Sequence, residues 1–156
     1  MSQQLLEEIN LMIEEIKYKK KLFALVVSGK YRNKKGITFF TSDQATQQFG
    51  YMKHEKGHII NPHTHKKRLT KILSTTEVIL LLKGVLRVDF YSQQKKYLFS
   101  KILKGNDIIM LVHGGHGFKV IKDVEMIEVK QGPYQLVEDK IKFNKIDEKK
   151  IKIKKN

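Results

Sequence analysis

The chain has 156 residues, enough for one domain with a full core and too few for two comfortable ones. It has no cysteine, which excludes disulfides, thiolate catalysis and cysteine-ligated zinc, so any bound metal must take nitrogen and oxygen ligands. A formal net charge of +15 raises nucleic acid as a partner, but only Arg32, Arg68 and Arg87 among 31 basic residues carry the guanidinium fork, so a drift toward lysine and isoleucine explains the charge and nucleic acid is not expected.

The first residues, MSQQLLEEIN, place glutamates where a secretory leader would have lysines, and the longest strongly apolar run, VILLL at 78–82, is far short of a membrane span. These features predict a soluble cytoplasmic protein with no membrane partner. Over residues 4–20, Leu5, Leu6, Ile9, Met12, Ile13 and Ile16 recur at helical spacing, and lysines follow in the last turn. An N-terminal amphipathic helix within residues 1–21, packed on the outside of the following domain, is expected. From Leu22 the pattern changes to about ten short apolar runs, among them LFALVV, GITFFT, EVILLL, VLRVDFY, DIIMLV and VEMIEVK, separated by turn pieces such as SGK, HEKG and KGND. Residues 22–138 therefore read as a β-sandwich or barrel. Residues 139–156 form a lysine-rich tail whose I-K-I-K alternation suits an edge strand blunted by lysine or a partly ordered segment, with a polyanion-binding arm as the functional alternative. Because a strand that is apolar on both faces needs cover on both, VILLL points to a homodimer, unless the N-terminal helix supplies that cover.

The chemistry centres on NPHTHKK. On a helix, His63 and His65 would point far apart, whereas on a strand they share one face about 7 Å apart at their Cα atoms. The flanking HII and Pro62 favour the extended form. Two further groups are candidates for the same ion. Glu77 opens an otherwise apolar strand, and His116 follows a strand and a glycine turn in LVHGGHGF. Three imidazoles and a carboxylate make an open N3O set, which leaves coordination positions for a substrate. Affinity order does not choose among iron, manganese, nickel, zinc and copper.

These spacings resemble the cupins. Gly57, His63 and His65 match G-x5-H-x-H, Glu77 and Gly84 match E-x6-G, and Gly105 to His116 has the spacing of the second motif. The chain departs from that pattern in three places: the gap of 11 residues between His65 and Glu77 is long, Leu111 and His113 stand where proline and glycine are usual, and Val120 stands where asparagine is. The resemblance covers about residues 37–134. It implies a double-stranded β-helix, or jelly-roll barrel, with a divalent metal on His63, His65, Glu77 and His116. More narrowly, ITFFTSDQATQQFGYMKHEKGHIINPHTH with VDFY, GGHGF and EVKQGPY is similar to small single-domain bacterial cupins found near surface-polysaccharide biosynthesis functions.

Further residues are weighed beside that set. On VLRVDFY, Leu86, Val88 and Phe90 alternate with Arg87, Asp89 and Tyr91, and on VEMIEVK Ile127 and Val129 alternate with Met126, Glu128 and Lys130; each polar set reads first as an outward face. A barrel that holds a ligand also needs polar groups inside, which makes Glu128, Lys130 and Tyr134 the candidates for acid/base or substrate contact. His113 faces either the site or solvent, His54 and His58 read as exposed beside HEKG, and Arg68 reads as a solvated loop residue or a clamp for an anionic substrate. The expected function is metal-dependent chemistry on a small polar molecule such as a sugar or sugar nucleotide, of isomerase, epimerase or dioxygenase type. A non-catalytic ligand-binding or regulatory module and a metal-free epimerase with a histidine base are the alternatives.

Overall fold

A computed structural model of the chain describes residues 12–33, 35–133 and 140–155. They divide into two units, Met1–Tyr31 with Thr75–Asn156, and Arg32–Ser74. The first unit contains β1 (Ile13–Tyr18), β2 (Lys21–Val27), β5 (Glu77–Tyr91), β6 (Tyr97–Lys104), β7 (Ile108–Leu111), β8 (Gly115–Lys130) and a 3-10 turn at Glu148–Lys150, and the second contains β3 (Gly36–Phe39) and β4 (Gly50–Lys53). The segment 32–74, which the sequence reading places inside one barrel, thus forms a unit of its own. The protein is mainly β, and its larger sheet is antiparallel and curls strongly into a half-barrel.

The described half of the expected N-terminal helix is a strand, and residues 1–11 lie outside the described residues. IEEIKY mixes the helix formers Glu14, Glu15 and Lys17 with two isoleucines and a tyrosine that suit a strand, so local preference does not decide, and the next run, KLFALVV, must pair its backbone before it can be buried. A two-residue turn at Lys19 and Lys20, with φ of 47° and 62°, folds β1 onto β2. A register shift between Ile16 and Lys17 leaves Ile16 fully buried opposite Ala24.

The sheet runs β1-β2-β7-β5-β6, with β8 paired along the other side of β5. β5 serves three neighbours because it bends. Glu77–Leu80 pair with β7, Val85–Tyr91 pair with β6, and β8 follows both halves through three register shifts between Leu81 and Leu86. Gly84 lies at the bend with φ of 94°, and a Cβ there would sit 2.0 Å from the Asp123 carbonyl oxygen. Alternation then defines the inner face: Ile79 and Leu81 before the bend, and Leu86, Val88 and Phe90 after it, all within one buried cluster with Ile16, Phe23, Ala24, Val26, Leu103, Ile109 and Leu111. The curl also brings the ends of the strand path together. Glu14 on β1 meets Lys101 on β6 at 2.5 Å, with Lys154 at the same distance. Burial works to raise the Glu14 carboxyl, but Lys101 and Lys154 outweigh it and hold that group below its ordinary value.

The opposite face of β5 carries Arg87, Asp89 and Tyr91, and there the outward reading needs correction because all three are buried. They lie beneath the tail. Arg87 donates Nε and Nη2 to Asp89 at 2.8 and 3.0 Å, and Nη1 and Nη2 to Glu148 at 2.7 and 3.2 Å. Ser100 Oγ donates to Asp89 at 2.5 Å, and the Tyr91 hydroxyl accepts from the Ile146 amide at 3.1 Å. Ile153 forms a parallel bridge with Ser100, which makes the end of the tail a short edge addition to β6.

Two predictions follow from this packing. Gly84→Ala combines backbone strain with a clash against main chain, and it is expected to lower stability by on the order of 3 kcal/mol, read as a lower urea midpoint with unchanged slope; a wild-type midpoint would separate the bend from this glycine. Hydrogen bonds from Arg87 and Lys119 hold the Glu148 carboxyl at about 2, below its ordinary 4.5. The folded chain therefore binds fewer protons there than the unfolded chain, and this contribution is complete above pH 4.5 and lost as pH falls toward 2. In Glu148→Gln, the decline of the urea midpoint across that window should be shallower than in the parent.

Candidate functional site

Glu77 opens β5 between Leu111 of β7 and Lys130 of β8. By alternation it belongs to the inner face with Ile79 and Leu81, a carboxylate at the rim of an apolar wall. His116 lies near the start of β8, opposite Phe90. The preceding chain turns sharply at Gly114, with φ of 76°, where a Cβ would approach the Tyr91 carbonyl oxygen to 2.6 Å. Main-chain amides of Val112 and His113 both reach the Phe23 carbonyl, at 2.8 and 3.3 Å, which ties the turn to β2.

The two side chains meet. His116 Nε2 is 2.9 Å from Glu77 Oε2, with the carboxylate 8% exposed and the imidazole 27%. That hydrogen bond is the largest influence on Glu77 and holds its carboxyl below the ordinary value against the opposing effect of burial; the positive charges of Lys140 and Lys130 act in the same direction as His116. Lys140 Nζ stands 3.7 Å from Glu77 Oε1. Gln131 adds an amide whose Oε1 accepts from the Thr76 main chain at 2.9 Å, while its Nε2 is buried with no partner among the described residues. Pairing of Glu77 with Lys130 and of Ile79 with Glu128 sets Glu128 and Lys130 on the inner face, beside the carboxylate and opposite to the outward reading. Tyr134 lies outside the described residues.

His63 and His65 belong to the other unit. Their rings are adjacent and edge to face, with centroids 5.4 Å apart at 80°. The strand expected to carry them is absent, since no ladder pairs residues 58–72, and both histidines are exposed. Pro62 removes one main-chain donor from the middle of this stretch, which disfavours a paired strand there. His63 Nδ1 lies 2.9 Å from the Asn61 carbonyl oxygen, a bond that fixes the Nδ1–H tautomer and directs the Nε2 lone pair outward. In the same unit His54 and His58 stack face to face at 4.2 Å, and His54 Nε2 is buried, so His54 is not the exposed residue that the HEKG turn led us to expect. Arg68 is exposed in the loop. His113 packs edge-on against Phe23 at 5.3 Å, an arrangement that neither of its two expected roles anticipates.

Each unit thus gathers one pair of the predicted ligands, and within neither does a group of three or more His, Asp or Glu side chains form among the described residues. Sequence reasoning missed Lys140 and Gln131. Lys140 is one of many tail lysines, and Gln131 carries no signal beyond its place after Lys130. The chain matches no family model, no curated protein and no solved structure.

Replacing His116 with alanine removes the strongest influence that lowers the Glu77 carboxyl and leaves burial in place, so the Glu77 midpoint should move upward. Carbon-detected NMR of the glutamate carboxyls checks this, and an unmoved midpoint would show that the pair does not form in solution.

Proposed function

We propose that the protein is a cupin that binds a divalent metal ion, with Glu77 and His116 its candidate ligands in the larger unit and His63 and His65 in the smaller, and that it acts on or binds a small polar molecule such as a sugar or sugar nucleotide. The observation that carries this reading is the Glu77–His116 pair, a buried carboxylate and an imidazole aimed at one another at 2.9 Å. Such a pair shares a proton that a cation can displace, because metal ligands must be deprotonated to bind. The donor set fits a divalent ion: the His63 Nδ1 bond to a main-chain carbonyl is the outer contact that ligating histidines commonly make, and the nitrogen and oxygen donors suit borderline and hard ions.

When bound, the ion would supply Lewis-acid chemistry or, if redox-active, electron transfer to a substrate. The chain's own groups account for the rest of the reading. Glu128 and Lys130, on the inner face beside Glu77, are the groups to hold or move a proton in an isomerisation or epimerisation, and Gln131 Nε2, unpartnered among the described residues, offers a donor to a substrate oxygen. Lys140 adds positive charge for an anionic substrate. A homodimer belongs to the same proposal, supported by Ile127 and Val129 on the outer face of β8, which are 50% and 55% exposed beside Val78 and Leu80.

Metal analysis of untagged protein after reconstitution with Fe(II), Mn(II), Ni(II), Zn(II) or Cu(II) in turn should find about one ion per chain, with a large loss of bound metal in Glu77→Gln and His63→Ala. Substoichiometric metal that does not rise on reconstitution, or variants that bind as well as the parent, would sink the reading.

A further inference from the structure

We propose that the cavity between the β1–β2 turn and the β5–β6 turn is a binding site for a small phosphorylated molecule with a hydroxylated body. The cavity has a volume of about 590 Å³, within the range of small-molecule pockets, and is lined by lysines from both turns, Lys19 and Lys21 from one and Lys96 from the other. No carboxylate lines it among the described residues. Lys20 and Lys95 complete the two turns, and among the described residues none of these five ammonium groups is paired with an acid. Five like charges on two neighbouring turns repel one another, and a multiply charged anion between them relieves that repulsion.

Backbone conformation separates this cluster from the scattered lysines elsewhere. Lys19, Lys20 and Lys95 all have left-handed backbone, with φ of 47°, 62° and 63°. Asparagine or glycine suits such positions, and lysine there is strained. Of the three, Lys19 lines the cavity itself, and Lys20 and Lys95 are each flanked on both sides by lining residues, so the strain falls on the two turns that border it. The rest of the lining supplies what a phosphate alone would not need. Tyr18 and Leu98 give a ring edge and an apolar wall, and Gln93 and Gln94 give amides that donate to and accept from hydroxyl groups. Lysine, a compact charge on a flexible stem, suits phosphate better than it suits the flat carboxylate that arginine grips.

The test uses the full chain, isothermal titration at fixed ionic strength, and two probes: inorganic pyrophosphate for the charged part and glucose 1-phosphate for the whole. Both are expected to bind saturably. The double variant Lys19→Asn, Lys20→Gly suits the turn better than the parent sequence, so it should melt at the same temperature or higher and yet bind both probes at least about tenfold more weakly. Gln93→Ala with Gln94→Ala should weaken glucose 1-phosphate alone, and Glu77→Gln should leave pyrophosphate binding unchanged, which separates this cavity from the Glu77–His116 pair. Absence of saturable pyrophosphate binding, or equal binding by the folded Lys19→Asn, Lys20→Gly variant, overturns the site. Glucose binding as tightly as glucose 1-phosphate overturns the assignment to phosphate.

Discussion

The bend of β5 is the constraint on which the larger unit depends. Glu77 and Phe90 lie at opposite ends of the strand, and His116 stands opposite Phe90. In a flat sheet the length of strand between them would hold Glu77 and His116 roughly 40 Å apart. They are 2.9 Å apart. Only a sheet that curls back on itself achieves this, and the curl starts where Gly84 adopts a conformation open to glycine and the strand exchanges β7 for β6 as its partner. The Glu14–Lys101 contact has the same origin, because it joins the two ends of the strand path across the concave side. The core and the candidate site are two consequences of one backbone feature.

A curled sheet has two faces to cover. Inside, aliphatic and aromatic side chains pack on one another, and burial of that apolar area supplies the main stabilisation. Outside, Arg87 and Asp89 are buried as charges, an arrangement that is stable only if nearly every donor and acceptor is matched. Two bidentate contacts, to Asp89 and Glu148, meet that requirement, and the second comes from the tail. The tail is therefore held by geometry more than by hydrophobicity. Lys140 and Lys154 reach Glu77 and Glu14, while Glu148, Ile146 and Ile153 make the contacts to β5 and β6.

Much of this was legible in the residues. Strict alternation in VLRVDFY assigned the inner and outer faces of the second half of β5, and turn residues placed most of the strands. What failed has physical reasons. IEEIKY satisfies a helical stripe and a strand equally well, and the choice was made by the unpaired backbone of KLFALVV, which a local pattern does not contain. GHIINPHTH reads as a strand by composition, but a strand exists only with a neighbour, and Pro62 removes one of the donors it would use. Arg87 and Asp89 were placed on the correct face and their cover was missed, because a lysine-rich tail gives no sign of where it will lie. At the candidate site the carboxylate and third imidazole were visible as exceptions to apolar runs, whereas Lys140 and Gln131 owe their places to tertiary proximity alone.

Net charge shows the same limit of composition most plainly. The figure of +15 suggests one diffuse property, but the structure divides the cations into groups with different physics. Lys101 and Lys154 neutralise one half-buried glutamate between strand ends, and Lys119 with Arg87 holds the carboxylate that fixes the tail. These charges are consumed within the fold, two to each acid. The lysines of the two turns bordering the cavity have no such acid among the described residues, and three of them accept an unfavourable backbone conformation as well. Lys19 Nζ rests over the Tyr18 ring, 5.6 Å from its centroid, which offsets part of that cost, and the charge that no acid among the described residues meets is the charge that an anion from outside the chain would neutralise.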